Sequence, residues 1–158
     1  MTIIIVRSSK ELSVINLEQS VIIKRPIEEV WNYMSNIQNA TTWDRGVLEI
    51  KQVPEGPLGV GTLLKFRRQF MGGERIRELR IAELEQNHRV VMEGHFQGMS
   101  ARIHYILEPE GEATKLTGAA DLEISGWWKL LTPLMVNMAN RDDKEDLANV
   151  KRIMEAQA

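Results

Sequence analysis

MSARIHYILEPEGEATKLTGAADLEIS, residues Met99 to Ser125, reads as two strands joined by a turn. Successive side chains of a strand face opposite sides of its sheet, so positions two apart share a face. Ala101, Ile103, Tyr105 and Leu107 therefore line one side of a strand over 99–108, and Leu116, Gly118, Ala120, Leu122 and Ile124 one side of a strand over 114–125. His104, Glu108, Asp121 and Glu123 fall on the opposite side. Pro109-Glu110-Gly111 supplies the reversal between the two. The pattern is that of a half-buried antiparallel hairpin, apolar inside and charged outside.

The same period extends upstream. Strands over 47–53, 61–71, 74–85 and 88–96 fit between turn signals at Pro54-Glu55-Gly56-Pro57, Gly59 and Gly61, Gly72-Gly73, Gln86-Asn87 and Gln97-Gly98. Their inner faces carry Leu64, Phe66, Arg68 and Phe70, then Leu79 and Ile81, then Val90, Met92 and Phe96. Loops this short join neighbouring antiparallel strands into a meander. An earlier strand covers Val14 to Lys24, after which Pro26 opens a helix whose first turn holds Glu28 and Glu29 at the positive end of its dipole. Ile27, Val30, Trp31 and Met34 form its packing face, and Asn36 or Asn39 is placed to cap a second short helix ending near Trp43. Ser125 is placed to cap a last helix that begins near Trp127, with Pro133 in its second turn; about 30 residues would make it ~45 Å long. The class is α+β: a curved antiparallel sheet of about seven strands, two short helices and a long C-terminal helix, forming one domain over 14–158. Residues 1–13 form an extension in which Ile3 to Val6 is an extra edge strand or a subunit contact.

Composition narrows the partners. Apolar residues make up 43% and charged residues 27%, near globular averages, which excludes disordered, fibrous and membrane classes. A net charge of -2 offers no field for gathering phosphate backbones, so nucleic acid is not an expected partner. With no cysteine, disulfides, thiolate metal sites and cysteine nucleophiles are excluded. The run Ile3 to Val6 is far shorter than the roughly 7–15 residues of a signal-peptide core, and no apolar stretch approaches the roughly 20 needed to span a bilayer. A cytoplasmic protein without a membrane segment is expected.

Residues 14–156 resemble the START-like superfamily, in particular its polyketide cyclase/dehydrase and lipid-transport branch, which shares the helix-grip fold of the birch-pollen allergen. The resemblance is carried by Ile23-Lys24-Arg25-Pro26-Ile27-Glu28-Glu29-Val30-Trp31, by Asn39 to Asp44 with Trp43, by Gly59-Val60-Gly61-Thr62, and by Asp146-Leu147-Ala148-Asn149-Val150-Lys151-Arg152. It implies a cavity between sheet and long helix that holds a lipid, hormone, polyketide or other apolar molecule. These are mostly scaffold positions, and a fold by itself does not assign an activity.

Within such a cavity the expected ligand contacts are Trp43, Phe66, Arg68, Leu79, Met92, Phe96, Tyr105, Ala120, Leu131, Met135, Met138 and Asp142. Gly118 and Ala120 leave room opposite the helix, either for a ligand or for Trp127, Trp128 or Met135. Leu131, Met135, Met138 and Ala139, then Leu147, Val150 and Met154, form a helical stripe that serves as core or as a pocket wall of adaptable shape. Asn140 to Asp146 interrupts it, so Asp142 either lies on a solvated stretch or pairs with an inward Arg68. Arg68, alone in charge on an apolar strand face, needs a partner or water: its head reaches the rim, or it recognises a carboxylate or carbonyl on a ligand.

His95 and His104 alternate onto the outer face and His88 sits beside a turn, so none serves as a base inside, and no metal or cofactor is expected. The function read from these residues is non-enzymatic binding or transport of a small hydrophobic molecule. Two alternatives remain: a cyclase, aromatase or dehydratase in which Tyr105, Arg68 or Asp142 moves protons, and an interaction module with a filled core.

Overall fold

The computed structural model describes residues 2–9, 12–70 and 72–157. The Phe70 side chain, placed on the inner face above, lies outside the described residues, as does residue 71 at the end of that strand's expected span. Eight strands form one antiparallel sheet: β1 (Thr2–Ser8), β2 (Leu12–Ile23), β3 (Val47–Val53), β4 (Leu63–Phe70), β5 (Gly73–Glu85), β6 (Arg89–Phe96), β7 (Met99–Glu110) and β8 (Ala113–Ser125). Their order is β1-β2-β8-β7-β6-β5-β4-β3. The eighth strand, beyond the expected seven or so, is β1, which pairs with β2 from Thr2 opposite Gln19 to Ser8 opposite Ser13.

Three helices cover the concave side: α1 (Ile27–Ser35), α2 (Ala40–Trp43) and α3 (Thr132–Ala156). Pro26 stands at the N-cap of α1, and Val30, Trp31 and Met34 are buried, as the helical spacing requires. The expected caps are not used. Neither Asn36 nor Asn39 caps through its side chain, and the Asn39 amide instead donates to the Tyr33 carbonyl at 2.9 Å.

The last helix also starts later than Trp127. Gly126–Leu131 forms a 3₁₀ turn in which Trp127 and Trp128 stack at 4.1 Å, and the Ser125 hydroxyl donates to the Gly98 carbonyl instead of capping. Pro133 then falls in the first turn of α3, where its missing N–H costs no hydrogen bond. At 25 residues α3 is about 38 Å long and runs chiefly along β2.

The hairpin of β7 and β8 places Tyr105 opposite Gly118 and Ile103 opposite Ala120, so large and small inner side chains face each other. Two apolar clusters hold the layers together. One gathers Trp31, Trp43, Phe66, Leu116, Leu147 and Val150 under α1 and the C-terminal half of α3; the other sets Ile15, Leu17 and Ile124 against Trp128, Met135 and Ala139.

Curvature has identifiable sources. Irregularities between Val47 and Glu49 in β3 and between Ile81 and Glu83 in β5 break the register and bend those strands. On β6, a Cβ built on Gly94 would lie 2.5 Å from the Glu78 carbonyl and 2.8 Å from a Leu79 methyl. Only glycine permits β5 to fold that closely over β6. Gly94→Ala is therefore expected to destabilise the protein by about 1–3 kcal/mol, read as a lower urea midpoint with unchanged slope. An unchanged midpoint would show that the strands part without cost.

Candidate functional site

Between the two clusters lies a cavity of about 470 Å³. All twelve side chains expected to contact a ligand line it. The walls from β4 to β8 are mostly apolar, with Arg68, Gln69 and Arg77 at one end, and α3 closes the opposite side with Met135, Met138 and Leu147. The room opposite Gly118 is taken by Tyr105 and Leu147, which a Cβ there would meet at 3.5–3.6 Å. Trp127 does not fill it, being 63% exposed. His95 and His104 are not among the lining residues: His95 Nδ1 bonds Ser100 Oγ at 2.8 Å, and His104 Nε2 lies 3.2 Å from Asp121.

One end of the cavity is charged, and the backbone around Asp44 explains how. The Asp44 N–H closes α2 by donating to the Ala40 carbonyl, and its Oδ1 accepts the Gly46 N–H at 2.9 Å. Gly46 O accepts the Gln69 N–H at 2.8 Å, Asn149 Nδ2 donates to the Trp43 carbonyl at 3.1 Å, and the Asp146 carboxyl accepts the Arg45 N–H. The segment from Trp43 to Gly46 is thus fastened to β4 on one side and to α3 on the other. It delivers the Asp44 carboxylate to Arg68, whose Nη1 and Nη2 donate to Oδ2 and Oδ1 at 2.8 and 3.2 Å. A Cβ on Gly46 would stand 2.7 Å from Arg68 Nη2, so a glycine is needed for the guanidinium to sit there.

Of the two readings of Asp142, the pairing with Arg68 is not made. Asp142 lines the cavity but has its ion pair with Arg141, at 3.6 Å on the rim, and not with Arg68. The charged stretch of α3 is not simply solvated either, because Asp146 is buried and Asp143 is half-buried, both lining the cavity. Asp44, Asp143 and Asp146 line the cavity without having been among the expected ligand contacts. The signal for the last two was their phase: Asp143, Asp146 and Val150 fall at i, i+3 and i+7, on the buried side of the helix.

The electrostatics follow from burial. Desolvation pulls the Arg68 pKa down, yet the charge and hydrogen bonds of Asp44 outweigh it and leave the guanidinium above the ordinary arginine value. Burial, with the nearby charges of Asp44 and Asp142, raises Asp143 to about 6. Burial, with Asp44 and Asp143, raises Asp146 to about 8, so at neutral pH its carboxyl is mostly protonated and able to donate. Tyr105 packs edge-on against Trp43 at 5.9 Å, and burial and the same carboxylates hold its phenol well above the usual value. Among the described residues its hydroxyl makes no hydrogen bond, and what it exposes faces the cavity. Among the described residues no group of three or more His, Asp or Glu is placed to hold a metal.

A curved antiparallel sheet gripping one long helix over an apolar void defines the helix-grip class. The chain belongs to the polyketide cyclase / dehydrase and lipid transport family, whose model matches residues 14–155. Among solved structures it is similar to the Zhui aromatase/cyclase of a Streptomyces species, with a TM-score of 0.77 at 12% identity over 91% of this chain and 95% of that one. It is also similar to Ara h 8.0201 (TM-score 0.71, 14% identity, 91% and 99% covered) and to a protein of Thermus thermophilus (TM-score 0.72, 16% identity, 90% and 99% covered). At these identities the likeness is one of fold. No curated protein matches the sequence. No helix among the described residues is long and apolar enough to cross a membrane.

Asp146 binds its proton more tightly folded than unfolded, its pKa rising from 3.8 to about 8. Folding therefore takes up a proton between those values, and stability is lost as pH rises through that window. Asp146→Asn, which can still accept the Arg45 N–H, is expected to flatten this decline. It should also raise the melting temperature at pH 8.5 by several degrees, each 1 kcal/mol being worth about 2–4 °C. A lower melting temperature at that pH would contradict the assignment.

Proposed function

We propose that the protein binds a small apolar molecule in this cavity and carries it without transforming it. The observation that supports this most is a void of about 470 Å³ with mostly apolar walls, within the size range of small-molecule sites. Methionines Met92, Met99, Met135 and Met138 give the walls a shape that adapts to its occupant. Burying about 300 Å² of apolar ligand at about 25 cal/mol per Å² gives on the order of 7 kcal/mol, against at least ~4 kcal/mol for association. Burial alone gives weak binding, so the polar end must add to it for affinity to be useful.

A second reading draws on that same end. The protonated Asp146 can give a proton and the Tyr105 phenol a hydrogen bond beside an apolar hollow, an arrangement suited to acid-catalysed ring closure or dehydration. It differs from the first in requiring turnover, which Tyr105→Phe would abolish while binding survives.

Uptake of a hydrophobic fluorescent probe, followed by native mass spectrometry for a co-purifying molecule, tests the binding reading. Ala120→Trp fills the hollow from β8 and is expected to weaken probe uptake by tenfold or more while the fold persists. Undiminished uptake in that variant would place the probe elsewhere and remove the support for a cavity binder.

A further inference from the structure

The charged end of the cavity is rich in acids, and its cations are already engaged. Among the described residues four carboxyls line it, from Asp44, Asp142, Asp143 and Asp146, against three arginines, Arg68, Arg77 and Arg141. Arg68 is occupied bidentately by Asp44, Arg141 pairs with Asp142, and Arg77 lies over the Phe96 ring at 4.6 Å. Asp143 and Asp146 have no ion-pair partner among the described residues. A ligand carboxylate arriving here would meet Asp143, charged at neutral pH, and Asp146 as well once pH rises through about 8, in a partly desolvated site. It would also have to compete with Asp44 for a guanidinium that Gly46 and the Trp43 to Gly46 segment hold in place. A neutral oxygen escapes that repulsion and can still accept from the Tyr105 hydroxyl, which makes no hydrogen bond among the described residues.

We propose that the cavity selects uncharged apolar molecules carrying a hydrogen-bond-accepting oxygen, such as a ketone, and discriminates against carboxylates of the same size. This rests on the binding reading above and specifies its ligand class. The groups that set the discrimination come from every element around that end: Asp44 after α2, Arg68 on β4, Arg77 on β5, Tyr105 on β7, and Arg141, Asp142, Asp143 and Asp146 on α3.

The test compares 2-undecanone with decanoate, a ketone and a carboxylate of matched length, as competitors of a hydrophobic fluorescent probe on the intact protein. At pH 7 the ketone is expected to displace the probe at a concentration about tenfold lower or more, since like charges a few ångströms apart in a protein cost at least that factor. Decanoate is ionised throughout pH 6–9, so any change in the ratio across that range reports the protein's own acids. The preference for the ketone should widen as Asp143 and Asp146 lose their protons. In Asp143→Asn/Asp146→Asn the preference should shrink at least threefold and lose its pH dependence, with ketone binding kept by the amide donors. Decanoate binding as well as the ketone, or a ratio flat from pH 6 to 9 in the wild-type protein, would overturn the proposal while leaving a cavity binder standing. Displacement of the probe by neither molecule would remove both.

Discussion

An arginine in the middle of an apolar strand face has to be neutralised, and the manner in which Arg68 is neutralised organises the molecule around it. Its carboxylate partner comes from neither the sheet nor the long helix but from the short segment after α2, which has no regular structure of its own. That segment holds its position because β4 and α3 each bind its backbone, through Gln69 on one side and Asn149 and Asp146 on the other. Sheet, short helix and long helix thus meet at one ion pair. With a third of the Arg68 side chain exposed, breaking it costs on the order of 1–3 kcal/mol, less than for a pair wholly removed from water. Its larger effect is geometric, since it fixes a polar floor to an otherwise apolar chamber.

The chamber exists because helix and sheet are not parallel surfaces. α3 lies along β2, while β4, β5 and β6 curl away from it, helped by the close approach over Gly94 and the irregularities of β3 and β5. The side chains that could bridge the gap are short at Ala101, Gly118 and Ala120 and flexible at the methionines. Packing is dense at either end and incomplete between, and the incomplete part has the dimensions of a small molecule. The buried acids of α3 lie where that hollow meets the Arg68 pair, so its chemistry and its electrostatics are controlled from the same place.

Much of this was legible in the sequence, and the limits have physical reasons. Alternation from Val47 to Ile124 sorted inner from outer faces because a sheet with one wet side enforces it, and it put His95 and His104 outside and Tyr105 inside. Pro26 marked the start of α1 because proline costs nothing there. Four isoleucine and valine residues in β1, from Ile3 to Val6, show no alternation, since the strand lies at the sheet edge with little covering it. The Asp44 partner was hidden because it stands 24 residues before Arg68 and is delivered by tertiary packing, which leaves no local period. Asp143 and Asp146 were passed over for a different cause. A run of charges reads as solvated unless its phase is compared with the apolar stripe around it, and here the phase turns two of the acids inward.

The hollow between sheet and helix is proposed to take in an apolar molecule, and the methionine methyl groups report on such uptake. Met92, Met99, Met135 and Met138 line the cavity, whereas Met34 and Met154 are buried in the core outside it. In a titration of methyl-labelled protein with 2-undecanone followed by NMR, the four lining methyls should shift together and saturate, with Met34 and Met154 unmoved. Lining methyls that stay in place up to the solubility limit of the ketone, or shifts confined to Met34 and Met154, would contradict it.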